Sequence, residues 1–174
     1  RRLVEETVAA VDGHARVVAG CSHNVTARAV ELCRHAESAA ADAVMLMAPS
    51  YFRYGGTAVV DFFRYVVERI GLPFLVYNNP AISGAELPAD ALDVIADLPG
   101  YLGLKEATRN LTRYLDLVLR FGDRFPIVAA NESCLFHTLV AGSSGCMTAS
   151  AAFAPGLLVD LLGAVQSGEL EQAR

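Results

Sequence analysis

Lys105 is the residue whose type and setting point most directly to chemistry. The chain carries 14 basic side chains, and Lys105 is the one lysine among them. It closes an apolar run, Tyr101-Leu-Gly-Leu-Lys105, and Glu106 follows it. A compositional drift toward arginine accounts for the other basic residues but not for this exception. A primary amine can lose its proton in a poorly solvated site and attack a carbonyl, whereas a guanidinium stays charged. Burial among Leu102, Leu104 and neighbouring strands is expected to lower the amine's pKa by disfavouring the charged form. The plainer reading, a strand-end lysine with its stem buried and its ammonium in water, stands beside the catalytic one.

Tyr77 closes Pro73-Phe-Leu-Val-Tyr77, the apolar run immediately before that of the lysine. Adjacent parallel strands lie about 4.8 Å apart, so a phenol there could trade protons with whatever the lysine captures. An aromatic core residue with its hydroxyl on a backbone carbonyl is the competing reading. Tyr51, in Ala48-Pro49-Ser50-Tyr51, falls in a loop and could equally be packing. Cys21 and His23 alternate at a strand end, but the chain offers no third or fourth ligand, so no metal site is expected. His14, His35 and His137 fall on helices or their ends and read as surface or satisfied histidines. Glu106 points to the strand face opposite the lysine, where a structural ion pair is expected rather than acid–base work.

These residues need elements to hold them, and one pattern supplies them from end to end. Short apolar runs begin at Arg16, Ala43, Pro73, Tyr101, Pro126 and Gly145, and an amphipathic stretch follows each. The starts are 27, 30, 28, 25 and 19 residues apart, the pace of successive βα units. The runs are almost continuously hydrophobic, as strands covered on both faces must be. Helices are expected near 26–40, 57–70, 88–97, 110–121, 132–141 and 155–166. Thr26 or Asn24, Pro88 in a first turn, and Ser133 are the expected punctuation. Strict alternation means α/β architecture with a parallel sheet, open or closed into a barrel. The absence of a Gly-x-Gly-x-x-Gly or P-loop signature after any strand weakens the open nucleotide-binding sheet. A (β/α)8 barrel takes roughly 250 residues, so about six of its eight units fit here and two are expected to precede Arg1. No linker or composition shift divides residues 1–174, which are expected to form a single domain.

Composition narrows the function. Of the 174 residues, 53% are hydrophobic, and the net charge is −5. No basic patch or stripe appears, which argues against a nucleic-acid partner. Every long apolar stretch is broken by a charge, Gly or Pro, so no membrane span is expected. Cys21, Cys33, Cys134 and Cys146 are widely spaced and read as small buried residues in a reducing, cytoplasmic setting.

Tyr77-Asn-Asn-Pro80 followed by Gly103-Leu-Lys105-Glu-Ala-Thr108 resembles the dihydrodipicolinate synthase/N-acetylneuraminate lyase family of class I aldolases. The likeness extends through Val18-Ala-Gly20, Ala41-Asp-Ala43, Pro49-x-Tyr51 and Ala141-Gly-x-x-Gly145, and so covers essentially the whole chain as the third to eighth strands of a TIM barrel. It implies a lyase, aldolase or dehydratase, that joins Lys105 as an imine to pyruvate or a related 2-oxo acid. No cofactor and no metal are implied. Tyr77 matches the proton-relaying tyrosine, and Tyr51 matches a tyrosine lent across a subunit contact, which implies a homotetramer. The strand near Met147 matches backbone lining the pocket. The family's Gly-Thr-Thr-Gly-Glu-like loop, which grips the substrate carboxylate, belongs to the second strand and is not in this sequence.

Departures from the pattern bear on the substrate. The lysine-biosynthesis branch places an arginine two residues after the proline of Tyr-Asn-x-Pro, where this chain has Ile82. An aliphatic side chain cannot pair with a carboxylate. Pro80-Ala-Ile-Ser-Gly84 is closer to the sialic-acid-lyase branch, which makes Ile82 a substrate-facing candidate. Asn131 and Glu132 partly match that branch's polyol-binding loop and are further substrate-binding candidates. Dihydrodipicolinate synthesis proper, or a non-catalytic relative that binds a small 2-oxo acid, are the alternatives.

Overall fold

A computed structural model of the chain describes residues 1–50 and 54–174. Tyr51, and with it the expectation attached to it, lies outside the described residues. The chain gathers into two compact units, Arg1–Leu102 and Gly103–Arg174.

The first unit runs α1 (Arg2–Val11), β1 (Val18–Gly20), α2 (Thr26–Ser38), β2 (Ala43–Leu46), α3 (Gly56–Val67), β3 (Phe74–Asn78), α4 (Pro80–Ser83) and α5 (Ala89–Ala96), then the start of β4 (Tyr101–Glu106). Its strands pair in parallel in chain order, Val18 with Ala43 and Val44 with Phe74. The apolar stripes of its helices fall at helical spacing and turn inward: Ala29, Cys33 and Ala36 on α2, Val59, Phe63 and Val66 on α3. Val44, Phe63, Phe74 and Leu92 are wholly buried. Phe74 stacks on Phe63 at 6.3 Å and meets Tyr101 edge-on at 5.6 Å.

The second unit continues β4 and carries α6 (Leu111–Phe121), β5 (Ile127–Ala129), a 3-10 turn over Glu132–Cys134 and α7 (Leu135–Val140). It ends with β6 (Gly145–Cys146), a second 3-10 turn over Ala149–Ala152, α8 (Pro155–Ser167) and α9 (Leu170–Ala173). Here too the strands are parallel neighbours in chain order, with Lys105 opposite Val128 and Ala129 opposite Cys146. Tyr114, Leu117 and Phe121 form the buried stripe of α6. All six expected strands form, so the α/β reading of the pattern stands.

Gly103, two residues before the lysine, has a φ of +149°. A Cβ there would lie 2.6 Å from the Pro126 carbonyl oxygen, the same oxygen that accepts the Leu104 N–H at 3.0 Å. Glycine therefore allows β4 to approach β5 closely enough to pair. Gly103→Ala is expected to cost about 1–3 kcal/mol by overpacking, read as a lowered urea midpoint with an unchanged slope.

The expected helix starts were only partly placed. Val25, not Thr26 or Asn24, is the α2 N-cap, and it makes no side-chain cap bond. The Asn24 Oδ1 instead accepts from the Ser50 N–H and hydroxyl at 2.9 and 3.0 Å, tying the loop after β1 to the loop after β2. Pro88 stands at the N-cap of α5, one residue before the first turn. Asn131, not Ser133, caps the turn that follows β5.

Candidate active site

Reactive side chains in parallel α/β folds gather where strands end in their carboxyl-terminal loops. In the first unit the relevant strand is β3. Tyr77 is its penultimate residue and half-buried, and Asn78 beyond it is buried with its Oδ1 accepting the Leu87 N–H at 3.0 Å. That bond anchors the segment between α4 and α5 on the strand end. The Asn79 side-chain amide donates to the Tyr77 phenol oxygen at 2.8 Å. One lone pair of the phenol oxygen is thereby engaged, which helps to hold the ring. Asn79 was not singled out as a site residue from the sequence. Its signal was only that a polar residue stands at the variable position of Tyr-Asn-x-Pro. Tyr77 also lines a small cavity of about 30 Å³ with Met47, Asn78, Ser83 and Glu86. Ile82, on α4, is 63% exposed.

In the second unit Lys105 is the penultimate residue of β4 and half-buried. Burial pushes its amine below its ordinary pKa of 10.5, and the negative charge of Glu132 opposes that fall. The expected direction holds, but one of the expected causes does not: Leu104 is buried to 1% exposure, whereas Leu102 remains 41% exposed. Strand alternation puts both leucines, with Glu106, on the face opposite Lys105. Glu106 turns the other way, is buried to 1% exposure and accepts the Thr108 N–H at 2.8 Å. It thus shapes the turn that leaves β4.

Asn131 and Glu132 follow β5. Asn131 is occupied structurally: its Oδ1 accepts from the Ser133 N–H at 3.1 Å and hydroxyl at 2.6 Å, and its Nδ2 donates to the Ala107 carbonyl at 3.2 Å. Glu132 is exposed, and its Oε1 accepts from the Ser150 N–H at 3.1 Å and hydroxyl at 3.3 Å. Backbone N–H groups of Glu132 itself and of Ser150 hold its carboxyl below the usual range. Met147, half-buried, donates its N–H to the Ala129 carbonyl at 2.8 Å and so extends the β5–β6 pairing. Within this unit, then, Glu132 is joined to Ser150 and Asn131 to Ser133 and Ala107.

Cys21 is buried beside the Cys33 thiol, which lowers its pKa by hydrogen bonding, while the exposed His23 accepts the Val25 N–H on Nδ1 at 2.9 Å. Each side chain is thus engaged by a group other than the other one. Among the described residues no group of three or more His, Cys, Asp or Glu could hold a metal. None of the described helices is long and apolar enough to cross a membrane.

Comparison with known proteins then places the chain. The family model described as the dihydrodipicolinate synthetase family matches residues 1–174. The chain is 31% identical over 172 residues to the 4-hydroxy-tetrahydrodipicolinate synthase of Nitrosomonas eutropha, covering 99% of itself and 59% of that protein. It superposes with a TM-score of 0.91 on the dihydrodipicolinate synthase of Thermotoga maritima, at 29% identity over 99% of this chain and 60% of that one. A prophage protein of E. coli K12 from the dihydrodipicolinic acid synthase family, solved in complex with pyruvate, also gives 0.91, at 26% identity over 99% of this chain and 59% of that one. The chain thus spans about 59% of the length of the relatives it matches.

Proposed function

The chain belongs to the dihydrodipicolinate synthetase family, and on that premise we propose that it carries the imine-forming half of a lyase acting on pyruvate or a related 2-oxo acid. The observation that carries the reading is the half-buried Lys105 amine, held below its ordinary pKa at the end of β4. In the proposed reaction the uncharged amine attacks the C2 carbonyl of the oxo acid. A carbon–nitrogen double bond forms and the carbonyl oxygen leaves as water, carrying one amine proton and one further proton delivered by the relay or solvent, while the second amine proton stays on nitrogen as an iminium. The iminium draws electrons from the bond beta to it, so a carbon–carbon or carbon–oxygen bond there breaks or forms. Tyr77, with Asn79 on its oxygen, is the group proposed to move protons to and from the carbinolamine and the departing or arriving fragment. Tyr51 is proposed to support that relay from a neighbouring subunit of a homotetramer. Met147 is proposed to line the pocket with backbone, and Asn131, Glu132 and Ile82 to border the substrate's tail.

The architecture proposed for the whole protein is a single-domain (β/α)8 barrel, residues 1–174 supplying six of its eight units. A cytoplasmic site of action is part of the same reading. Support comes from the six parallel strands and from relatives whose chains extend beyond the matched region.

For the second substrate, Ile82 favours a partner without a carboxylate at that position, as in the sialic-acid-lyase-like branch, since isoleucine offers no cation to hold one. A second reading, dihydrodipicolinate synthesis proper, is favoured by the name of the Nitrosomonas relative. Retro-aldol assays with sugar-derived 2-oxo acids, following pyruvate release, separate them from condensation assays of pyruvate with aspartate semialdehyde. Pyruvate release from the former supports the first reading, and condensation alone supports the second. Neither activity, together with no pyruvate adduct on the protein, would remove the lyase proposal.

A further inference from the structure

The loop between β4 and α6, residues 107–110, carries a cation that the proposed lyase chemistry leaves unused. Among the described residues of Gly103–Arg174, Arg109 is the only arginine in a loop that follows a strand. It stands four residues beyond Lys105, which bounds the distance between their Cα atoms at about 14 Å. The loop is fastened from several sides. Glu106 Oε1 accepts the Thr108 N–H at 2.8 Å, Thr108 Oγ1 accepts the Asn110 N–H at 3.1 Å, and Asn110 Oδ1 accepts the Arg113 N–H at 3.2 Å. From the turn after β5, the Asn131 amide donates to the Ala107 carbonyl at 3.2 Å and the Cys134 thiol to the Thr108 carbonyl at 3.7 Å. Arg109 therefore stands on backbone held on both flanks, and it is itself exposed.

Folding does not account for a cation in this place. Arg109 directly precedes Asn110, the N-cap of α6, where a positive charge faces the positive end of the helix dipole and is disfavoured. Arg16, Arg28 and Arg64 hold Asp42, Glu31 and Asp61, but no carboxylate among the described residues pairs with Arg109. Glu132, in the turn after β5, is held by Ser150 instead. Burial raises the Cys134 thiol and the Arg109 charge pulls it back down, so the guanidinium's field falls on the flank of the loop that meets that turn.

We propose that Arg109 is a specificity residue that binds the far carboxylate of a dianionic 2-oxo acid whose carbonyl Lys105 captures. The proposal rests on reading Lys105 as the imine-forming amine. A guanidinium presents paired N–H donors that match the two oxygens of a carboxylate, and a fastened loop lowers the cost of ordering it. Ile82 supplies no cation for such a group, whereas Arg109 does.

Borohydride trapping of the Lys105 imine tests this with two acids of one carbon skeleton, 2-oxoadipate and 2-oxohexanoate, which differ only in the charge of the far end. The shorter pair, 2-oxoglutarate and 2-oxopentanoate, is run beside them, and peptide mass spectrometry reads the adduct on the sole lysine. In at least one pair the dianionic acid should reach half-maximal trapping at the lower concentration. Arg109→Gln should raise that concentration about three- to tenfold relative to the neutral mate, and should move the maximal trapping rate less. Arg109→Lys should restore part of the preference, and added salt should erode it in the wild-type protein. Thermal melts show that each variant is folded. A wild-type protein without the preference in either pair overturns the proposal. So does an Arg109→Gln variant that captures charged and neutral acids equally less well, which marks a structural role. A pyruvate adduct on Lys105 alongside either result keeps the lyase reading and loses the selector. No adduct with pyruvate or with any of these acids removes the lyase reading and the selector with it.

Discussion

Lys105→Ala should abolish turnover of any 2-oxo acid, with a loss of about 10³-fold or more, the scale on which removing a covalent nucleophile is felt. Lys105→Arg is the sharper form of the same experiment. It keeps the positive charge and the aliphatic stem, and it restores the residue this sequence uses at its other basic positions. A guanidinium cannot shed its proton in this setting, so the arginine variant should be as inactive as the alanine one. If charge alone served, by holding a substrate carboxylate, arginine would retain much of the rate. Both variants should remain folded, because the Lys105 side chain is only half-buried and the β4–β5 pairing is carried by backbone. Steady-state pyruvate release, with circular dichroism as the folding control, checks the prediction.

Tyr77→Phe removes one oxygen and should lower kcat by about 10²–10⁴-fold, the usual worth of a positioned proton donor and acceptor. KM should change little, because the ring that lines the cavity together with Met47 and Ser83 is retained. Asn79→Leu tests the same group from the other side. It leaves the phenol in place but removes the amide that donates to it at 2.8 Å. A tenfold or smaller effect on kcat is expected there, since one neutral hydrogen bond contributes about 0.5–1.5 kcal/mol. Equal losses in the two variants would mean that the ring's orientation, not its hydroxyl, is what matters.

The strand pattern was legible because parallel strands covered on both faces leave runs with almost no polar residue, and Val44, Leu46, Phe74 and Ile127 fall where those runs predicted. The helix starts were less legible for one physical reason. Asn24 has the right chemistry to cap α2, but a backbone N–H 26 residues away in sequence, that of Ser50, competes for the same oxygen and wins. Short-range rules cannot see that competitor. Ser133 fails as a cap in the same way: its own N–H and hydroxyl are donors to Asn131. The predicted helix over 132–141 breaks into a 3-10 turn and α7 at the point where Cys134 leaves helical backbone, with ψ at 16°.

The site divides similarly. Lys105 and Tyr77 announced themselves by residue type at strand ends, and both lie where that reasoning put them along the chain. Asn79 and Ser150 did not, because their importance comes from the partners they meet through space. Asn131 was read as a substrate group, and its side chain is already committed to Ser133 and Ala107. Glu132 is likewise engaged, by the Ser150 N–H and hydroxyl, and its negative charge opposes the fall of the Lys105 pKa.

The claim on which all of this turns is that one amine is uncharged often enough to capture a ketone. Borohydride reduction in the presence of pyruvate, followed by intact-mass and peptide analysis, tests it without any assumption about the second substrate. The account predicts a single reduced pyruvate adduct, on the peptide containing Lys105 and absent from Lys105→Arg. An unmodified Lys105 peptide under those conditions, or an adduct confined to the amino terminus, would contradict it.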